Sequence, residues 1–220
     1  MKDVVIIGAG GHGVVVADIL LAAAEAGDGV RAVAFLDDDI ALVGTAPLGV
    51  PVVGCIADLE RVPHDAVVVA LGGNKLRGRV TENLLQGGEV LAVVRHPSST
   101  VGRGVTIGVG SMICAGAIVN PRTAIGIGVI LNTSCSVDHD CHVGDYAHVA
   151  PGARLAGGVS VGTGTLVGIA AAILPGRVVG PWSTVGGGAV VLGDVPDCIT
   201  VVGVPARPIG PSRAAFCPDQ

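Results

Sequence analysis

From Val101 onward the chain places an aliphatic residue at every sixth position. Sixteen consecutive hexads run to Pro196, from VGRGVT and IGVGSM through VDHDCH and VGDYAH to VGGGAV and VLGDVP, and each opens on Val, Ile or Leu. The second position is Gly in eight hexads and Ala in two more, and the fifth is small or β-branched except at Arg177. A six-residue unit cannot bury its aliphatic side chain alone. Stacked units make a continuous core, so the period predicts a parallel β-helix. Each buried aliphatic contributes about 1.5–3 kcal/mol, enough in stacked columns to hold a domain without a helix–sheet sandwich.

The first hundred residues follow another pattern. VVIIGAGGHGVVVADILLAAAEA reads as an apolar strand, a glycine-rich turn and an apolar helix. Gly8, Gly10 and Gly13 satisfy GxGxxG, in which glycines let backbone amides and a helix N-terminus approach phosphate oxygens. A second strand, RAVAFL, ends at Asp37, Asp38 and Asp39, where a carboxylate suits a ribose or a base. A third, AVVVAL, runs into Gly72-Gly73-Asn74-Lys75, and EVLAVV follows a predicted helix. This segment is too short for the two βαβαβ halves of a dinucleotide site. Residues 1–95 are therefore expected to form one Rossmann-like unit for a nucleotide or its diphosphate sugar, not NAD. Arg95-His96-Pro97-Ser98 marks the junction, because a residue before proline favours extended backbone, and residues 96–220 are assigned to the β-helix and a C-terminal tail. His96 is expected to be structural there; His12 is either a ligand contact or a turn residue.

Composition narrows the functional classes. At 50% hydrophobic residues with mean hydropathy +0.71, the chain is expected to fold. Its 36 glycines interrupt every apolar run short of the roughly 20 residues that cross a bilayer, so no transmembrane helix is expected. The start, Met1-Lys2-Asp3, lacks a basic region and cleavage site, which predicts a cytoplasmic protein. Six cysteines without a CxxC pair fit reduced thiols. A net charge of −5, no basic cluster and few aromatics argue against nucleic acid and for a small-molecule partner.

Polar chemistry concentrates in CSVDHDCHVGDYAH, residues 135–148. In the hexad frame Cys135 and Cys141 occupy the inward fifth position and read as core. His139 and Asp140 are third and fourth, at an outward corner. His142 and His148 are sixth in successive hexads, on adjacent faces, so the three histidines do not converge within one chain. Eighteen residues beyond His139, one coil above at about 4.8 Å, Gly157 leaves its backbone N–H bare. An imidazole beside a bare amide is what acyl transfer needs, a base for the nucleophile and a donor for the oxyanion. Asp140 would orient that imidazole or hold it charged, with Asp138 as a second candidate.

The hexads resemble those of the hexapeptide-repeat acyltransferases, in which three hexads make one triangular coil of a left-handed β-helix. Through GAGGHG, FLDDD, GVPVVG, ALGGNKLRGRV, RHPSS, the hexads and the closing GVPARPI, nearly the whole chain resembles the sialic acid O-acetyltransferase-like sugar acyltransferases. Within them it is most similar to N-acetyltransferases of nucleotide-linked 4-amino-4,6-dideoxy sugars, of the bacillosamine and perosamine type. The resemblance implies a homotrimer with each active site between two β-helices, acetyl-CoA along the groove, no metal, and a UDP- or GDP-sugar on the N-terminal unit. It makes His139 the catalytic base, Asp140 its neighbouring acid, His148 a group near the acetyl thioester and Gly157 the amide for the thioester oxygen. Gly10, Gly11, His12, Asp37 and Asp38 match the nucleotide-sugar side, and Arg207 the CoA phosphates. Gly73 departs from the Asn that many relatives carry.

Three other readings share parts of this pattern. A sialic acid O-acetyltransferase would use the same base and leave Asp37 and Asp38 idle. A γ-class carbonic anhydrase shares the β-helix and binds zinc through three histidines, two of them stacked two coils apart. Arg103 and Thr106 stand thirty-six residues before His139 and His142, so that stacking partner is absent. A non-catalytic scaffold would bind nucleotide without CoA.

Overall fold

The computed structural model describes residues 1–212. The chain opens with β1 (Lys2–Ile7), α1 (Gly11–Glu25), β2 (Val30–Leu36), β3 (Val52–Gly54), β4 (Ala66–Val69) and α2 (Asn74–Gln86). The four strands form one parallel sheet in the order β3-β2-β1-β4, with the glycine loop at the carboxyl end of the central strand β1. Strand β1 is buried on both faces, Val4 through Ile7 being fully inaccessible, which is why its sequence is continuously apolar. The expected strand in EVLAVV does not form. Only Leu91 bridges to Val67, and Val94–Arg95 pairs with Met112–Ile113 in the β-helix instead.

From there two-residue strands recur at every sixth residue and stack into three parallel sheets. These are the faces of a triangular prism. The first face carries Met112–Ile113, Ile130–Leu131, His148–Val149 and Leu166–Val167; the second carries Ser136–Val137; the third carries His142–Val143. Strands on one face are related by eighteen residues, as in the pairing of His142 with Ala124 and Ser160. The predicted inward positions are inside. From Ile113 to Val191 the hexad-opening aliphatics are at most 4% exposed, and fifth-position Ala117, Cys135, Ala147, Ala153 and Ala171 are fully buried. Cys141 is core as well.

The two domains share a core. Helix α1 buries Val16, Ile19 and Leu20 in the same cluster as Val94, Met112, Cys114 and Ile130 of the first face. Helix α2 docks on the corner between the third and first faces. There the Tyr146 ring lies between Gly128 of the coil below and Gly78 of α2, where a Cβ would come within 3.0 and 3.1 Å of the ring. Two coils above Tyr146, the Trp182 ring covers Gly164 of the coil beneath it in the same way, so this tryptophan packs within its own chain. Among the described residues no helix is long and apolar enough to cross a membrane.

Candidate active site

Residues 138–141 turn the corner from the second face to the third, with Asp140 in the left-handed region at φ 59°. The coil below supplies the bracing. The Asn120 amide donates to Asp138 Oδ1 at 2.7 Å, and the same oxygen accepts the His139 backbone N–H at 2.8 Å. Arg122 grips Asp140 with both arms of its guanidinium, Nε to Oδ1 and Nη2 to Oδ2, each at 2.6 Å. Asp140 Oδ2 also contacts His139 Nδ1 at 2.7 Å. The hydrogen bonds from Arg122 and then His139 hold the Asp140 carboxyl well below the usual carboxylate range. An ionised carboxylate only accepts, so Nδ1 carries the proton and Nε2 is left as the basic nitrogen.

The coil above leaves room for this ring and for nothing larger. A Cβ on Gly157 would lie 2.7 Å from His139 Cε1 and 2.8 Å from Nε2, so the imidazole rests on the glycine. One coil lower at the same corner, the His139 amide is capped by the preceding side chain, Asp138. Gly157 follows Ala156, and its N–H finds no acceptor among the described residues. A half-exposed imidazole therefore stands beside an amide that has no acceptor among the described residues.

A second cluster lies on the first face. A cavity of about 920 Å³ opens between Gly72-Gly73-Asn74 at the start of α2 and the coil residues His148, Pro151, Leu166 and Ile169. Asn132 Oδ1 accepts the Thr133 N–H at 2.8 Å, so its amide nitrogen faces His148 Nε2 at 3.0 Å. His148 is thereby an acceptor at Nε2 and carries its proton on Nδ1. The His12 ring, in the first turn of α1, sits 6.4 Å from that of His148, and its Nε2 is buried without a hydrogen-bond partner among the described residues. Arg77 is fully buried nearby. Its fork donates to the carbonyls of Gly128 at 2.8 Å, Leu71 at 2.9 Å and Tyr146 at 2.6 Å, and to Asn74 Oδ1 at 2.9 Å. Burial, reinforced by the Arg77 charge, pushes His12 down to about 4 and His148 down to about 3. Both are neutral at physiological pH.

The glycine loop divides its labour. A Cβ on Gly13 would collide with the Gly8 carbonyl, which makes Gly13 a turn requirement, whereas Gly10 and Gly11 face open space. Asp37 accepts the Ala9 N–H at 2.7 Å and the Asp39 N–H at 2.8 Å, and Asp38 accepts that of Ile56 at 3.0 Å. Asp37 thus braces the loop around the open glycines, whereas Asp38 ties down the segment after β3. Arg207 lies exposed on the closing hairpin, its Nη1 on the Ala206 carbonyl at 3.0 Å.

The structure gathers the expected residues into two groups. His139, Asp140 and Gly157 meet at the corner of the second and third faces; His148 and His12 meet on the first, beside the cavity. One chain does not bring the groups together. Sequence reasoning missed Asn120, Arg122, Asn132 and Arg77. The first two stand eighteen residues before Asp138 and Asp140, a spacing that would have found them.

Residues 3–84 match the PglD N-terminal domain family. Over 119 residues the chain is 36% identical to the UDP-N-acetylbacillosamine N-acetyltransferase of Bacillus subtilis (strain 168), covering 52% of this chain and 52% of that protein. The match thus spans about half the length of this curated relative. Among solved structures, the acetyltransferase domain of PglB from Neisseria gonorrhoeae FA1090 is 38% identical with a TM-score of 0.86, over 95% of this chain and all of that one. PerB from Caulobacter crescentus, in complex with CoA and GDP-perosamine, is 39% identical with a TM-score of 0.86, over 96% of this chain and 98% of that one.

Proposed function

The chain belongs to the PglB and PerB family of sugar N-acetyltransferases with hexapeptide-repeat β-helices, and from that premise we propose that it acetylates the 4-amino group of a UDP- or GDP-linked 4-amino-4,6-dideoxy sugar from acetyl-CoA. The observation that carries this reading is the His139–Asp140 pair beneath the uncapped Gly157 amide.

The reaction is direct transfer within a ternary complex. The neutral amine attacks the thioester carbonyl carbon while His139 Nε2 takes its proton. Asp140 stabilises the resulting imidazolium through Nδ1–H, and the Gly157 N–H meets the oxygen that becomes negative. The tetrahedral intermediate expels CoA sulfur, which leaves as the thiol with the proton returned by His139. An amine is already a good nucleophile once neutral, so no acyl-enzyme is needed. Gly10 and Gly11, braced by Asp37 with Asp38 beside it, would admit the nucleotide diphosphate, and Arg207 would approach the CoA phosphates.

The separation of the two groups supports a site built from two copies, His139 of one meeting the cavity of the next, as in a homotrimer. Both substrates are cytoplasmic small molecules, and neither nucleic acid nor membrane is required. The test is turnover of acetyl-CoA with UDP- and GDP-linked 4-amino-4,6-dideoxy sugars, following thiol release and the acetylated sugar by mass. Thiol release that depends on the amino group supports the reading. Absence of transfer with both nucleotides, or acetylation on a hydroxyl, overturns it.

A further inference from the structure

We propose that Arg122, one coil below the reactive corner, is a positioning residue that fixes the geometry and offsets the charge of the His139–Asp140 pair, and so sets the lower pH limit of acetyl transfer. This rests on the reading of His139 as the base.

The geometric part follows from the coil. Arg122 and Asp140 hold the fourth position of successive coils at the same corner, with φ of 62° and 59°. The same column is glycine at Gly104, Gly158 and Gly176, all at positive φ. Two side chains thus occupy adjacent levels of a column otherwise left to glycine. The eighteen-residue register sets the guanidinium under the carboxylate, and the two parallel 2.6 Å bonds fix the plane of that carboxylate. The oxygen that receives Nη2 is the one facing His139 Nδ1, so a carboxylate held from below cannot rotate away from the imidazole.

The electrostatic part follows from what faces the ring. On its own turn these groups are Asp138 and Asp140; from the coil below comes Arg122; the coil above presents Gly157 and Gly158. The Cys141 thiol points inward to the Ala156 carbonyl. Two carboxylates beside an imidazole favour its protonated form, and a protonated base accepts nothing from the amine. The Arg122 cation cancels the nearer carboxylate at the range where that effect is largest. Since Arg122 and Asp140 are solvent-accessible, the cancellation is screened, and its removal is expected to displace the acid limb of acetyl transfer upward without abolishing turnover.

Two substitutions separate the parts. Arg122→Gln removes the charge, whereas Arg122→Lys keeps the charge and loses the fork. Two readouts are taken on each: the pH dependence of kcat/KM for acetyl transfer, and the His139 ring Cε1–H titration by NMR, assigned by its loss in His139→Gln. With Arg122→Gln, the acid limb and the His139 ring signal both move to higher pH together, and kcat at neutral pH falls about 3–10-fold with KM for both substrates within about twofold. With Arg122→Lys, the titration stays in place while kcat still falls. In an Asp140→Asn background, Arg122→Gln has little further effect. The proposal is overturned if the His139 titration does not move in Arg122→Gln, or moves equally in the Asp140→Asn background. A titration that moves in a protein with no acetyl transfer retires the functional reading and leaves the Arg122–Asp140–His139 coupling standing.

Discussion

Replacing Gly157 with alanine tests the corner by adding one methyl group. Gly157 is not among the glycines at positive φ, so the backbone accepts alanine without strain. The obstacle is the ring. The new Cβ would lie 2.7 Å from His139 Cε1 and 2.8 Å from Nε2, where carbon contacts settle at about 3.5–4.0 Å. The imidazole must retreat by nearly an ångström or swing off the coil, and either motion disturbs its 2.7 Å contact with Asp140. Misplacement of a reacting group by about 1 Å can cost about 10²-fold, so kcat is expected to fall 30- to 100-fold under saturating acetyl-CoA and amino sugar. Gly158→Ala is the control. It sits at φ 70° with its nearest neighbour 3.9 Å away, so it should cost about 1 kcal/mol of stability and leave kcat within about threefold. Thiol release gives the rate and thermal unfolding gives the stability. If Gly157→Ala keeps kcat within threefold of wild type, or Gly158→Ala loses as much, the steric reasoning is wrong.

Three further expectations follow from the same geometry. His139→Ala should lower kcat by about 10²-fold or more with an unchanged thermal midpoint, as for loss of a general base; turnover within threefold of wild type would remove the assignment. Arg77→Met should strip four acceptors, three of them buried, of their donor and cost about 3–5 kcal/mol, a drop of roughly 10 °C in Tm; a shift under about 2 °C would show that the junction of α2 with the β-helix does not depend on it. Burial opposes charge on His64, but its bonds to the Val62 carbonyl and Glu89 outweigh that effect and raise its pKa. The stabilisation is therefore full below the unfolded value of about 6.5 and is lost as pH rises through the folded value, so His64→Gln should destabilise more at pH 6 than at pH 8 in paired denaturant titrations.

The β-helix was legible because its core is one-dimensional. Stacking repeats one environment every six residues, so the sequence must repeat its answer, and Val137, Val143 and Val149 sit inside as their period requires. The N-terminal sheet offered no such redundancy. Strand β3 has only three residues and follows Pro51, so no alternation announces it. EVLAVV has strand composition, yet the coil captures Val94 while Val90 and Val93 stay exposed. The candidate corner was half legible. Reading up the stack from His139 reached Gly157, and reading down by the same interval from Asp140 reaches Arg122. Arg77 was beyond this method, since its partners Gly128 and Tyr146 lie on another domain at no regular spacing.

The three histidines of the two groups differ in environment more than in chemistry, and this difference supports the assignment of the base. His148 and His12 are held neutral by burial and by a buried cation that has carbonyl partners and no carboxylate. A proton arriving on either would add a second positive charge beside Arg77 in a site without counter-charge, so neither suits the role of proton acceptor. His148 has in addition committed Nε2 to Asn132, which leaves Nδ1–H as a donor. His139 stands under the opposite conditions. Its ring is accessible, its Nδ1 proton rests on an ionised carboxylate, and the imidazolium formed by taking a proton is neutralised where it forms. Environments that separate like residues in this way favour separate roles, the proposed base for His139 and neutral hydrogen-bonding groups for the other two. Because a rigid coil keeps the base on one corner and the neutral pair on another face, the two roles would act on one substrate only across a junction between copies.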